Sequence, residues 1–99
     1  MARFDVFRNP DGEGYLINIQ AELLDHLDTR VVIPLLPQAV APLPAKTLNP
    51  CFEIIGEAQI MATQFMAAIP SRILRQPVTN LHAQRDEIVA AIDLLMQGF

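Results

Sequence analysis

The chain has 99 residues, of which 52% are hydrophobic and 18% are charged, a composition that predicts one folded domain over residues 1–99 and excludes extensive disorder. Its formal net charge of −4 and its scattered basic residues disfavour direct nucleic-acid binding, which normally needs a basic stripe. No apolar run is long enough to span a membrane and the first residues lack a signal-peptide core, so we expect a cytoplasmic protein without membrane contact.

The first twenty residues have the pattern of a β-hairpin. In the segment Ala2 to Arg8, residues alternate between two faces so that Phe4 and Val6 share one of them. This period of two is typical of a half-buried strand. Asn9 to Gly12 is a turn, because proline presets φ and glycine supplies a positive φ. Tyr15 to Gln20 alternates again and predicts the second strand.

The next segments predict a loop and then a buried strand. Ala21 to Thr29 is polar apart from three leucines, which favours a short helical turn or loop. Arg30 to Leu36 is a continuous β-branched run, as in buried strands. Pro34 lies inside this run and predicts an edge strand or a bulge, because proline cannot donate a ladder hydrogen bond.

A proline-rich segment separates that strand from a second hairpin. Pro37 to Pro50 holds further prolines and predicts an extended loop. Cys51 to Ile55 and Ala58 to Met66 are then expected to pair through a turn at Gly56-Glu57. We expect Cys51, the single cysteine, to be a small buried hydrophobic residue.

The last quarter of the chain changes from strand to helix periodicity. Arg72 to Arg75 could form one more short strand before Pro77. Apolar residues from Leu81 to Phe99 then recur at spacings of three, four and seven, as on one face of a helix. Thr79 or Asn80 can cap the start of this helix, and Gly98 lies where a C-cap residue belongs.

No catalytic or metal-binding pattern is present. His26 and His82 have no cysteine or acidic residue at ligand spacing, and Ser71 lies in no nucleophile motif. Gly12-Glu13-Gly14 is not followed by a helix, so a hairpin turn is favoured over a phosphate site. We therefore expect no enzyme activity, no catalytic residues, no metal and no cofactor.

Several motifs, taken in order, resemble the CcdB family, the toxins of bacterial toxin–antitoxin pairs that poison DNA gyrase. They are IQAELLD (19–25), RVVIPL (30–35), IGE (55–57), MAAIP (66–70) and the spaced pattern of the terminal helix with its glycine one residue from the end. The resemblance implies a mainly β fold, an SH3-like barrel made of a five-stranded antiparallel sheet plus a small extra sheet, with a C-terminal α-helix. It also implies a homodimer that acts without catalysis or cofactor.

The resemblance implies two sets of partner contacts. The DNA gyrase A subunit would be bound by Leu23, Leu24, Asp93, Met96, Gln97, Gly98 and Phe99. The cognate antitoxin would be bound by Arg8, Asn9, Pro10, Asp11, Gly12, Glu13 and Gly14 of the first turn, and by Val40, Ala41, Pro42, Leu43, Pro44, Ala45 and Lys46 of the proline-rich loop. Plain core packing is the alternative for the two leucines, and an ordinary solvated loop is the alternative for the antitoxin segments.

The sequence departs from the family pattern at the end of the terminal helix. Gln97 stands where the best-known members have tryptophan, Asp93 stands where they have asparagine, and Phe99 replaces a smaller aliphatic residue. Loss of an interface tryptophan typically weakens binding strongly. Gln97 motivates one alternative, a relative that binds an antitoxin but has weak or no gyrase toxicity. The SH3-like barrel, which MazF-type ribonucleases share, motivates the other, a MazF-like ribonuclease toxin.

Overall fold

The computed structural model of the protein describes residues 1–41 and 44–99. It contains seven strands, four single turns of 3-10 helix and one α-helix near the end. The strands are β1 (Asp5–Arg8), β2 (Tyr15–Asn18), β3 (Thr29–Pro37), β4 (Cys51–Ile54), β5 (Glu57–Met61), β6 (Ala67–Pro70) and β7 (Thr79–Asn80), the 3-10 turns are Glu22–Leu24, Thr63–Phe65, Ser71–Ile73 and His82–Gln84, and the helix α1 is Arg85–Gln97.

All seven strands belong to one antiparallel sheet that curls into a nearly closed barrel. The order is β4-β5-β3-β2-β1-β7, with β6 paired to β3 outside this path. Both predicted hairpins form: Val6 lies opposite Ile17 in the first, and Phe52 lies opposite Gln59 in the second. The prediction of a mainly β barrel-like fold with a C-terminal helix is confirmed.

β3 is the central strand, which corrects the expectation that Pro34 marks an edge or a bulge. β6 pairs with residues 29–32 of β3 and β5 pairs with residues 35–37, so the neighbour on that side changes between them. The Pro34 carbonyl points to that side, where it accepts the Ala62 amide at 2.9 Å. The N–H that proline lacks would point to the same side. Neither β5 nor β6 pairs with residue 34, so the strand tolerates proline at this position.

The core lies inside the barrel and under the helix. Alternate residues of the strands, including Val6, Ile17, Ile33 and Leu35, are fully buried because successive side chains of a strand point to opposite faces. Ile88 and Ala91 bring the helix onto this core. A smaller apolar cluster on the other face of the sheet joins Phe7, Leu16, Val32 and Leu74, with Ile69 against it.

Three local predictions are wrong. Cys51 is exposed rather than buried, because Phe52 and Ile54 are the residues of β4 that face the core. The strand expected from Ala58 to Met66 begins at Glu57, so the hairpin turn is Ile55-Gly56 rather than Gly56-Glu57. The same strand ends at Met61 and is followed by the 3-10 turn Thr63–Phe65. The Arg72 to Arg75 segment is not a strand but begins within the 3-10 turn Ser71–Ile73.

The helix ends as the sequence predicts. Gly98 has a φ of 82° and donates its amide to the Leu94 carbonyl at 3.0 Å, which is the left-handed C-cap that favours glycine. Asn80 accepts the His82 amide at 2.7 Å and so caps the 3-10 turn that leads into the helix rather than the helix itself. No helix in the described ranges is long and apolar enough to cross a membrane.

Candidate functional site

The turn between β2 and β3 presents leucine side chains to solvent. Leu23 is 86% exposed and Leu24 is 42% exposed, and no side chain of the 3-10 turn Glu22–Leu24 is buried. Core packing of these two leucines is therefore wrong. Leu27, three residues further on, is also exposed, so an apolar surface extends along what we call the leucine loop, residues 21–28.

Buried polar side chains at the base of the leucine loop hold it in this shape. The Arg30 guanidinium, which is nearly buried, donates to the carbonyls of Asp25, Leu27 and Thr29 at 2.6–2.8 Å. Gln20 donates to the Leu24 carbonyl at 3.1 Å and accepts the Val31 amide. Because these bonds satisfy the carbonyls that turn inward, the leucines can stay outside without disordering the loop.

The end of the chain forms a second exposed apolar surface, which we call the helix tip, residues 96–99. Phe99 is 83% exposed and Met96 is 63% exposed, whereas the earlier helix residues Ile88 and Ala91 are fully buried. The Gln97 side-chain amide donates to the Asp93 carboxylate at 3.4 Å, one turn back along the helix. The helix tip therefore exposes two apolar side chains, and its Gln97 is bonded to the preceding turn of the helix.

The first of the two segments that are predicted to bind the antitoxin, residues 8–14, is an ordered turn. Asn9 donates its amide to the Gly14 carbonyl at 3.1 Å, and its side chain accepts the Asp11 amide at 3.0 Å. The guanidinium carbon of Arg8 lies 5.6 Å from the centre of the Tyr15 ring. Between this turn and Glu57 and Gln59 of β5 lies a mainly polar depression of about 330 Å³.

The second antitoxin segment, residues 40–46, is described except for Pro42 and Leu43, which lie outside the described residues. Val40 and Ala41 donate their amides to the Pro37 carbonyl at 3.0 Å, so the loop continues directly from β3. Ala45 donates to the Asn49 side chain at 2.9 Å. Val40, Pro44, Ala45 and Lys46 are exposed, and Ala41 is half-buried.

The two antitoxin segments line different cavities. The first turn shares its depression with Gln59, whereas Pro44 lines a cavity of about 180 Å³ with Ala58 and Ile60. Gln59 alternates with Ala58 and Ile60 along β5, and alternate strand residues point to opposite faces. The two cavities therefore border opposite faces of β5.

Sequence reasoning missed two exposed apolar residues beside these surfaces. Leu27 was visible as a third leucine in a polar stretch, but only the tertiary structure shows that it joins Leu23 and Leu24. Phe65 is 52% exposed on the 3-10 turn against which α1 packs. The alternating pattern before it predicted a continuing strand, so the sequence carries no signal for that exposure.

The comparison with protein families supports the sequence resemblance. A family model described as CcdB protein matches residues 3–98, nearly the whole chain. The chain belongs to the CcdB family. Family membership places the CcdB-like chain among the toxins of toxin–antitoxin pairs, whereas its molecular target is a separate question.

Two solved structures share the fold at low sequence identity. One is an endoribonuclease in complex with its cognate antitoxin from a mycobacterial species, at 11% identity and a TM-score of 0.77, covering 97% of this chain and 94% of that chain. The other is an Mtb toxin at 12% identity and a TM-score of 0.69, covering 95% and 99%. At such identities the likeness to this CcdB-family chain concerns the fold alone.

Proposed function

We propose that the protein is the toxin of a type II toxin–antitoxin pair, and that it poisons DNA gyrase by binding the A subunit without catalysis. The observation that supports this most directly is the helix tip, where Phe99 extends an exposed ring beyond a glycine-capped helix end. An exposed aromatic side chain on a rigid element is a typical interface anchor. The leucine loop adds a second apolar surface, formed by Leu23, Leu24 and Leu27.

Binding, rather than bond making, is the action that suits these surfaces. Leucine, methionine and phenylalanine side chains carry no acid, base or nucleophile, and they gain free energy by leaving water. In the described ranges no three His, Cys, Asp or Glu residues come together as a metal site. The toxin would thus act by occupying gyrase and holding its cleaved-DNA complex.

The decisive experiment is a gyrase cleavage assay. Supercoiled plasmid, gyrase and ATP are incubated with the purified protein, gyrase is then denatured, and linear DNA is measured. We expect linear DNA to accumulate, and Phe99→Asp to require at least about tenfold more protein because a hot-spot side chain is lost. Ile55→Asp is the matched control, since Ile55 is a comparably exposed apolar residue on the β4–β5 turn. No cleavage at any protein concentration, with growth arrest unrelieved by gyrase A substitutions, would refute the proposal.

The alternative function, a relative with weak or no gyrase toxicity, is motivated by Gln97 and can be tested at that position. Gln97 is exposed at the last position of α1, and its side-chain amide donates to the Asp93 carboxylate. We expect Gln97→Trp to tighten binding to the gyrase A subunit about tenfold or more, because a tryptophan buries more apolar area at an interface. Ala90→Trp, at an exposed position earlier on the helix, serves as the control, and affinity is measured by calorimetry. Equal affinities for Gln97→Trp and the wild type would remove this position as the missing determinant.

A ribonuclease is the second candidate, and it is motivated by the endoribonuclease with the same fold. RNA cleavage needs cations that stabilise the phosphorane and a group that transfers protons. Arg30 does not offer a free cation, because three backbone carbonyls occupy its guanidinium. Specific cuts in mixed cellular RNA incubated with the purified protein would favour this candidate over gyrase poisoning.

We further propose that the toxin is a homodimer and that a cognate antitoxin neutralises it. Exposed apolar residues along α1 and Phe65 beside it support self-association. We place the antitoxin contact on the turn at residues 8–14 and on the exposed residues Val40, Pro44, Ala45 and Lys46.

A further inference from the structure

One end of the barrel opens to solvent through the polar depression between the first turn and β5, which we call the barrel mouth. It measures about 330 Å³, and its larger side chains are those of Arg8, Asn9, Glu13, Tyr15, Glu57 and Gln59. Tyr15 belongs to the main core cluster, and Gln59 shares its face of β5 with the core residue Met61, two positions further on. The barrel mouth is therefore continuous with the core, and the mouths of β-barrels are common ligand sites.

Gln59 carries a buried hydrogen-bond acceptor that lacks a donor. Its side chain is only 2% exposed, and its amide oxygen has no partner among the residues that the structure describes. Gln59 lies opposite Phe52 of β4 and Pro37 of β3, and neither of those side chains can donate a hydrogen bond. Because an unpaired buried acceptor costs free energy, a bound molecule that donates to it would recover that cost. Gln59 lines the barrel mouth, so the missing donor points to a ligand there.

Two carboxylates of the barrel mouth also lack partners. Glu57 precedes Gln59 by two positions and so shares its face of β5, and Glu13 lines the barrel mouth from the first turn. In the described part of the chain, neither carboxylate has a basic side chain within ion-pair distance. A cationic group of a ligand would neutralise these carboxylates, and its N–H donors suit the Gln59 oxygen as well.

Arg8 adds one positive charge to the barrel mouth. Its guanidinium carbon lies 5.6 Å from the centre of the Tyr15 ring, and its Nη1 donates to the Tyr15 hydroxyl at 3.5 Å. These contacts orient the guanidinium, and they leave most of its N–H donors for a ligand. No carboxylate of the described residues forms an ion pair with Arg8. A ligand that carries a carboxylate in addition to its cationic group would therefore satisfy both signs of charge.

A metal ion fits the barrel mouth less well than such a ligand. Within residues 1–41 and 44–99, no three His, Cys, Asp or Glu residues come together as a metal site. A metal ion would also be repelled by the guanidinium of Arg8 and would leave that group unpaired.

We propose that the barrel mouth binds a free basic α-amino acid, with L-arginine as the probe. The walls carry two negative charges and one positive charge, and a basic amino acid at neutral pH carries the reverse. Its carboxylate pairs with Arg8, and its two cationic groups lie against the Gln59 oxygen and the carboxylates of Glu13 and Glu57. This site is independent of the proposed action on gyrase.

The test titrates the purified protein with L-arginine and follows its amide signals by two-dimensional NMR. We expect saturable shifts of the Gln59 side-chain amide and of the backbone amide of Gly14, which also lines the barrel mouth. Agmatine is arginine without its carboxylate, and Nα-acetyl-L-arginine amide lacks both the carboxylate and the α-ammonium group. Each should bind at least about tenfold more weakly than L-arginine, because each leaves a charge of the barrel mouth unpaired.

Variants of the β4–β5 hairpin assign the binding to the barrel mouth. Glu57→Gln should weaken L-arginine binding about tenfold or more, because one wall charge is lost. Glu53→Gln is the matched control: Glu53 is exposed on β4 and lies opposite Ala58 rather than Gln59, and we expect a change below about twofold. Gln59→Met keeps the size of the side chain without its amide oxygen and should also weaken binding about tenfold. Thermal unfolding of each variant verifies that the fold is retained.

The amino-acid site is overturned if L-arginine gives no saturable shift, or if Glu57→Gln and Glu53→Gln bind it equally well. Equal affinities for L-arginine and agmatine would overturn it too, because the barrel mouth would then take simple cations and Arg8 would pair with nothing. If Nα-acetyl-L-arginine amide binds as tightly as free L-arginine, the site takes an arginine side chain of a partner protein and not a free amino acid. None of these results bears on gyrase poisoning, since the titration contains neither gyrase nor DNA.

Discussion

Gly12 and Gly14, two residues apart in the first turn, meet very different surroundings. Gly14 has a φ of 84°, and a Cβ built there would clash with the Leu35 carbonyl oxygen. Nothing lies within 4 Å of a Cβ at Gly12, and its φ is not in the left-handed region. The turn therefore needs glycine at position 14 for both its conformation and its close approach to β3.

We expect Gly14→Ala to destabilise the protein by about 2–4 kcal/mol, since the backbone must leave a strained region and move away from β3. Gly12→Ala should change the free energy of unfolding by less than about 0.5 kcal/mol. Urea unfolding of the two variants measures both values. Equal free energies of unfolding would show that the turn can shift without loss of stability. The conclusion that the turn needs glycine at position 14 would then be wrong.

At the scale of the element, the β4–β5 hairpin contains a residue poorly suited to its turn. Ile55 has a φ of 50° and Gly56 has a φ of 79°, so both central residues are left-handed, as in a type I′ turn. A β-branched residue is disfavoured there, and asparagine followed by glycine is the preferred pair. Ile55 is 60% exposed, so little packing opposes a change.

Ile55→Asn should therefore stabilise the protein by about 0.5–2 kcal/mol. Ile55→Val keeps the β-branch and should give no gain, which separates turn conformation from side-chain size. Thermal unfolding of both variants provides the measurement. A lower melting temperature for Ile55→Asn would mean that the exposed isoleucine makes contacts that outweigh the turn strain.

The leucine loop depends on one buried guanidinium. Arg30→Ala would leave the carbonyls of Asp25 and Leu27 without their donor, and we expect a loss of about 2–4 kcal/mol. Arg85→Ala removes an exposed arginine that bonds only the nearby His82 carbonyl and should cost less than about 0.5 kcal/mol. Urea unfolding gives the stabilities, and amide exchange in residues 22–28 should quicken in Arg30→Ala alone. Unchanged exchange would show that other contacts hold the loop.

The sequence predicts elements well where one periodicity runs without interruption. The alternation of β1 and β2 and the spacing of α1 led directly to the observed strands and helix. Prediction failed where tertiary pairing overrides a local rule. Pro34 lies in the central strand only because β5 and β6 meet opposite it, and this is a property of distant segments.

The candidate site was less predictable than the fold for a related reason. Exposure of Leu23 depends on Arg30 and Gln20 satisfying the loop carbonyls from below, and no local pattern reveals those bonds. Phe65 is exposed because the strand period stops at Met61 and a 3-10 turn rotates the chain. Partner surfaces consist of apolar side chains that are exposed instead of buried. Periodicity therefore locates the core more reliably than it locates an interface.

On the scale of the whole molecule, large apolar side chains are exposed on α1 and beside it. Outside the helix tip, Phe65 and Leu95 are exposed, and the 3-10 turn that holds Phe65 packs against α1. Apolar surface collected around one element is typical of protein–protein contact, and a two-fold homodimer is the commonest arrangement. We place the proposed dimer contact at Phe65 and the adjoining side of α1, which leaves the helix tip for gyrase.

Phe65→Asp should therefore convert the protein from dimer to monomer at about 10 μM, because a desolvated carboxylate at a two-fold contact meets its own symmetry mate. Ile55→Asp makes the same kind of change at a comparably exposed site on the β4–β5 turn and should stay dimeric. Light scattering coupled to size-exclusion chromatography gives the molar mass, and circular dichroism verifies the fold. A monomeric wild-type protein would refute the dimer itself. A dimeric, folded Phe65→Asp would place the contact on another face, and the apolar side of α1 near Phe65 would then remain open to gyrase along with the helix tip.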